Sequence, residues 1–127
     1  MLFGGRERVL LGSWAFPSMT AVAGSITDAD VEEFARGFSR DNGWNGAVGL
    51  YQSMLTEGEN FHERARTPLA IPALAIGGFG GAFTANTLQQ VAAAPISSVE
   101  LDGVGHYVAL EDPERLAASI LEFVATA

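Results

Sequence analysis

The strongest constraint on this chain is a short continuous apolar run, Ala73-Leu74-Ala75-Ile76, that ends in Gly77-Gly78. Such a run suits a strand buried on both faces, as in a parallel sheet. A glycine-rich loop follows over Phe79 to Ala82, then a helix from Thr84 to Ala94 that Pro95 closes. Ile96 to Leu101 reads as a second strand and Asp102 to Leu110 as a loop. Asp112-Pro113-Glu114 opens a last helix, with a capping carboxylate, a proline in the first turn and an acid behind it. Leu116, Ile120, Phe123 and Val124 give that helix an apolar stripe to bury. The order is β-α-β-α, one right-handed crossover and a closing helix. Two parallel strands do not make a stable sheet alone. This unit is therefore expected to need partners along its outer edges.

Before residue 69 the pattern is helical. Arg6 to Phe16 suits a short helix that ends before Pro17, and Ala21 to Ser25 suits a loop. Thr27 is placed to cap a helix, and Asp28 and Asp30 fall in its first turn, at the positive end of the helix dipole. Val31, Phe34, Ala35 and Phe38 give this helix one apolar face, and Asn42-Gly43 ends it. Ala47, Val48, Tyr51, Met54 and Leu55 predict another helix over Gly46 to Leu55. Glu57 to Thr67 is polar, a short helix and a loop, and Thr67-Pro68 turns the chain. The expected division is a helical segment over 1–68 and an α/β segment over 69–127.

Charge narrows the function. The formal net charge is −8, with 7 basic residues and no basic run. Phosphate binding needs clustered Lys and Arg, so nucleic acid is not an expected partner. An anionic membrane surface is not expected either. With no cysteine, disulfides, thiol catalysis and cysteine-ligated metals are excluded. The first residues carry charges where a secretory signal has its apolar core. The most apolar stretch, Leu69 to Phe83, is broken by Pro72 and four glycines, and is shorter than the roughly 20 residues a membrane helix needs. The expectation is a soluble, cytoplasmic chain. His62 and His106 lack ligand spacing, so no metal site and no cofactor is expected.

The residues that carry chemistry lie in Leu101-Asp102-Gly103-Val104-Gly105-His106-Tyr107. A lone histidine more often simply ends a strand. Here it follows a strand on a glycine-bearing loop, where parallel α/β folds keep their sites. Gly105-His106, an aromatic residue, then Glu111-Asp112-Pro113-Glu114 and an apolar helix resembles the C-terminal end of α/β-hydrolases. Pro72-Ala73-Leu74-Ala75-Ile76-Gly77-Gly78 resembles the strand two elements earlier. Gly5-Arg6-Glu7-Arg8, the Ile26-Thr27-Asp28 helix and the Leu50-Tyr51-Gln52-Ser53 helix look like the cap, or lid, of epoxide-hydrolase-like members.

The resemblance implies a partial α/β-hydrolase fold, with a cap over 1–68 and the last two strands and helices over 69–127. It implies hydrolysis of a small apolar epoxide or ester through a covalent intermediate. His106 matches the general base, which activates a water, or a serine in the esterase branch. Tyr51 matches a cap tyrosine that donates a hydrogen bond to the epoxide oxygen, where charge develops as the ring opens. Plain helix packing is the other reading of Tyr51.

Two departures matter. No G-x-S-x-G motif or aspartate equivalent occurs, and Ser25 in Ala23-Gly24-Ser25 lacks that pattern. No carboxylate stands in Phe79-Gly80-Gly81-Ala82-Phe83, where the acid that orients the histidine often lies. Glu111 and Asp102 can lie near His106, but the family gives them no catalytic role. The chain alone is therefore expected not to turn over. Its expected partner is a missing N-terminal half or a second copy of itself. A non-catalytic truncated or split-gene product that self-associates stays open. So does a dinucleotide-binding βαβ module, with Gly77-Gly78-Phe79-Gly80-Gly81 before a helix and Asp102 ending the next strand. Phe83 stands where that motif needs its third glycine. The acids from Asp28 to Glu33 suit a solvated helix face. Phe3, Trp14, Phe16 and Trp44 suit cap packing or the wall of an apolar pocket.

Overall fold

The computed structural model describes residues 4–126. Phe3 lies outside them. The helical segment comprises α1 (Glu7–Leu10), a π-helical turn (Leu11–Ala15), α2 (Phe16–Met19), α3 (Asp28–Phe38), α4 (Asn45–Ser53) and α5 (Glu57–Arg64). β1 (Leu74–Gly77), α6 (Gly81–Gln89), β2 (Ser97–Glu100), α7 (Val108–Glu111) and α8 (Pro113–Thr126) follow. The two strands run parallel, from Leu74 opposite Ser97 to Gly77 opposite Glu100. The result is a mixed helix and strand architecture consistent with part of an α/β fold. Among the described residues, no helix is long and apolar enough to cross a membrane.

The first helix does not stop at Pro17. It continues to Met19 because the π-helical turn resets the hydrogen-bond register, and Pro17 falls in the first turn of α2. There the missing N–H of proline has no intrahelical acceptor to lose. α3 starts as expected. Asp30 N–H donates to Thr27 Oγ1 at 3.3 Å and Thr27 N–H donates to Asp30 Oδ2 at 2.8 Å, a reciprocal cap. Arg8 and Glu32 pair at 2.9 Å between α1 and α3.

α6 begins at Gly81 and ends at Gln89, earlier at both ends than the apolar pattern suggested. Gly80, in the left-handed region at φ 87°, lets the chain turn directly from the strand into the helix. Ala92 and Ala93 leave the helix to pair with Leu69, whose N–H donates to Val91 O at 2.7 Å. The segment from Asp102 to Leu110 is not all loop, since α7 occupies its last part.

The main core is Leu11, Ala15, Phe16, Val31 and Ala35, with Ile26, Phe38 and Tyr107 packed against it. Tyr107 belongs to the α/β segment, so the core spans both parts of the chain. Phe16 meets Phe34 and Tyr107 edge to face, at centroid distances of 5.3 and 5.1 Å. Trp44 stacks on Phe38, whereas Trp14 is exposed and joins no core.

The α/β segment buries far less than its sequence pattern implies. In β1 Ala75 is buried and its neighbours are half-buried, and three of the four β2 residues are exposed. The apolar stripes of α4 and α8 contribute no buried residue. Ile120, Val124 and Leu55 stand open to solvent. A two-stranded sheet offers too little face to cover these helices.

Candidate functional site

Position 106 follows β2 by a tight turn, and glycines bring its backbone against two other segments. A Cβ at Gly78 would lie 2.3 Å from Gly105 O and 2.4 Å from Val104 O. Only a residue without a side chain lets the end of β1 pass this close to the histidine loop. Phe79 N–H donates to Val104 O at 2.8 Å and fastens that approach.

From the other side the loop meets the helical segment. His106 N–H donates to Met19 O at 2.8 Å. Gly105 N–H donates to Glu111 Oε2 at 2.9 Å, and Tyr107 N–H donates to Glu111 Oε1 at 3.0 Å. Ala21 N–H and Val22 N–H donate to the same Oε2 at 2.7 and 3.0 Å. Three consecutive N–H groups, 105 to 107, are thus all engaged. The Glu111 side chain joins residues about ninety positions apart in sequence.

Glu111 is buried. Burial pushes its carboxyl up, and the backbone N–H groups of Val22, Gly105, Ala21 and Tyr107 outweigh it, leaving the carboxyl below the usual carboxylate range. A second buried carboxylate, Glu7, accepts from Gly5 N–H at 3.1 Å and from Trp44 Nε1–H at 3.4 Å.

The His106 side chain is exposed and its ring stands edge to face with Tyr107 at 5.2 Å. Tyr107 Oη lies 3.9 Å from Met19 Sδ. Burial raises the Tyr107 phenol above its ordinary value, and Tyr51 and Glu111 add to the rise electrostatically. Tyr51 itself is exposed on α4. Among the described residues no hydrogen bond joins Tyr51 to His106. Asp102 stays at the surface, its carbonyl accepting from Arg115 Nη1 at 3.2 Å.

Tyr107 and Glu111 are the residues whose part here was not assigned from sequence. Their signal was the spacing within Gly105-His106-Tyr107 and Glu111-Asp112-Pro113, which marks a loop but not the distant amides it faces.

Two other regions fit a site less well. Around the start of α6 three amides already have backbone acceptors: Phe79 N–H donates to Val104 O at 2.8 Å, Gly81 N–H to Gly78 O at 2.8 Å and Phe83 N–H to Gly80 O at 3.0 Å. Those donors are not presented to a pyrophosphate, which weighs against the dinucleotide reading. A cleft of about 780 Å³ between α5 and α6 is lined by Phe61, Ala65, Phe83, Leu88 and Val91, with exposed His62 at its wall. Neither His106 nor Tyr51 borders it.

No protein-family model matches the chain. Among curated proteins it is 25% identical over 112 residues to epoxide hydrolase A of Mycobacterium tuberculosis (strain ATCC 25618 / H37Rv), covering 85% of this chain. The chain spans 34% of that enzyme's length. Among solved structures it resembles the wild-type Cfl2 crystal structure from Burkholderia cenocepacia, with a TM-score of 0.82 and 29% identity. That match covers 96% of this chain and 42% of Cfl2. The match to epoxide hydrolase A supports a hydrolase-like relationship, and both matches cover only part of the longer protein.

Proposed function

We propose that this chain forms the cap and the C-terminal part of an epoxide-hydrolase-like centre and supplies its general base, His106. One observation carries the reading. The His106 backbone is tied to the helical segment through Met19 O at 2.8 Å, while its side chain stays exposed beside Tyr107. A base needs a fixed backbone and an open ring. The partial match to an epoxide hydrolase supports the same class of reaction.

In this reading the substrate is a small apolar epoxide or ester, attacked by a nucleophile outside these 127 residues. His106 activates the water that resolves the covalent intermediate. Tyr51 donates to the oxygen on which charge develops. The second face of the sheet and the exposed apolar residues Leu55, Phe79 and Phe83 are covered by the nucleophile-bearing part or by a second copy of the chain.

The test is hydrolysis of a styrene-oxide-type epoxide and a chromogenic ester by the 127-residue chain and by His106→Ala. Both are expected to stay at background. Turnover by the native chain that His106→Ala abolishes would place a nucleophile within this sequence and overturn the shared centre.

A further inference from the structure

We infer that Glu111 is a positioning residue that sets the His106 loop against the turn at residues 19–22. The argument starts from acceptor capacity. An ionised carboxylate offers about four lone-pair sites. At Glu111 four backbone N–H groups use this capacity, Ala21, Val22 and Gly105 on Oε2 and Tyr107 on Oε1. Among the described residues no hydrogen bond joins this carboxylate to the His106 ring, so Glu111 does not orient the ring directly. Its effect on His106 runs through the main chain.

The arrangement makes that effect direct. Gly105 and Tyr107, the two neighbours of His106, hang on opposite oxygens of one carboxylate. His106 N–H itself is held by Met19 O. Met19, Ala21 and Val22 belong to one turn, which the same carboxylate grips at its other end. The His106 Cα therefore has little freedom relative to the end of α2 and the residues that follow it. Gly105 completes the fit, because a Cβ there would lie 2.7 Å from Glu111 Oε1.

The inference rests on the His106 reading only for its catalytic consequence. The test reads the loop itself and needs no turnover. Amide hydrogen exchange is measured by NMR on the native chain and on Glu111→Gln. In the native chain Ala21, Val22, Gly105 and Tyr107 are expected to share one protection level, since one side chain holds all four. Free exchange at Ala21 and Val22 beside protected Gly105 and Tyr107 would overturn the inference, even if the variant failed to fold.

Glu111→Gln keeps the shape but turns one oxygen into an NH2 donor. With its remaining oxygen on the three-donor side, Tyr107 N–H faces another donor. Tyr107 exchange is then expected to speed up at least about tenfold, the loss of one hydrogen bond of ordinary strength. The His106 ring resonances shift with it, while Val31 and Ala35 in the core keep their protection. Equal loss of protection at all these positions, with unmoved His106 resonances, would make Glu111 a general stabiliser only and defeat the positioning role.

Discussion

The carboxylate of Glu111 accepts a hydrogen bond from the backbone N–H of Ala21 at 2.7 Å, across ninety positions of sequence. This contact and its three companions fasten the two parts of the chain to each other at the histidine loop. Removing them has a predictable cost. Glu111→Ala leaves four backbone donors in a partly buried place and is expected to destabilise the fold by about 3 kcal/mol. Urea denaturation of the two proteins checks this. A loss under about 0.5 kcal/mol, typical of a surface substitution, would show that the contact contributes little.

Gly105 tests the same junction by crowding. A methyl group there would lie 2.5 Å from Met19 O and 2.6 Å from Ala21 N, both backbone atoms. Gly105→Ala is expected to cost roughly 2–3 kcal/mol, as overpacking does. Gly49, inside α4, has nothing within 4 Å of the same added atom. Gly49→Ala is therefore expected to be neutral or to stabilise by up to about 1 kcal/mol. Thermal melting of both variants should move them in opposite directions, and parallel shifts would count against the crowding.

The acid side of the stability profile follows from the sign of the Glu111 shift. Its folded-state value lies below the ordinary 4.5, so the carboxylate form is favoured by folding. Its contribution is fully present above about pH 4.5 and is lost as pH falls through the lower folded-state value. Unfolding free energy measured between pH 6 and pH 3 should fall, and Glu111→Gln should flatten that slope. An unchanged slope in the variant would assign the acid loss to other carboxylates, such as Glu7 and Asp30, whose values are also lowered.

Tyr107 acts at the other end. Burial raises its phenol above the ordinary value of 10.0, so folding favours the neutral form. The unfolded chain then releases this proton first, and stability should drop as pH rises beyond about 10. Tyr107→Phe is expected to remove this alkaline loss. Persistence of the loss in the variant would assign it to groups other than Tyr107.

Much of this architecture was legible in the sequence because it is local. Thr27 and Asp30, three residues apart, announce the start of α3, and Asp112-Pro113 announces α8. The order β1, α6, β2, α8 follows from apolar runs and glycine punctuation. Pro17 misled because a π-helical turn upstream changes where a proline is tolerated, and no residue pattern marks that turn. The C-terminal end of α6 was displaced because Ala92 and Ala93 prefer a bridge to Leu69, a tertiary contact that outweighs helix propensity. The stripe of α8 is genuine as a pattern, yet Val124 and Ile120 are open, since a pattern says which face wants cover and not whether cover exists. His106 could be singled out by its place after a strand. The role of Glu111 could not, because its partners Ala21 and Val22 contribute only backbone N–H groups, which leave no trace in side-chain identity.

The role of His106 is read most directly by restoring what the proposed centre needs. The residues of epoxide hydrolase A outside the matched segment are joined to this chain, and a cooperative melt first establishes that the chimera folds. Hydrolysis of a styrene-oxide-type epoxide is then followed for the chimera and for its His106→Ala form. Loss of a general base should lower turnover by roughly 10²-fold or more, while the unfused chain stays at background. A folded, active chimera whose turnover survives His106→Ala unchanged would contradict the assignment of His106 as the base.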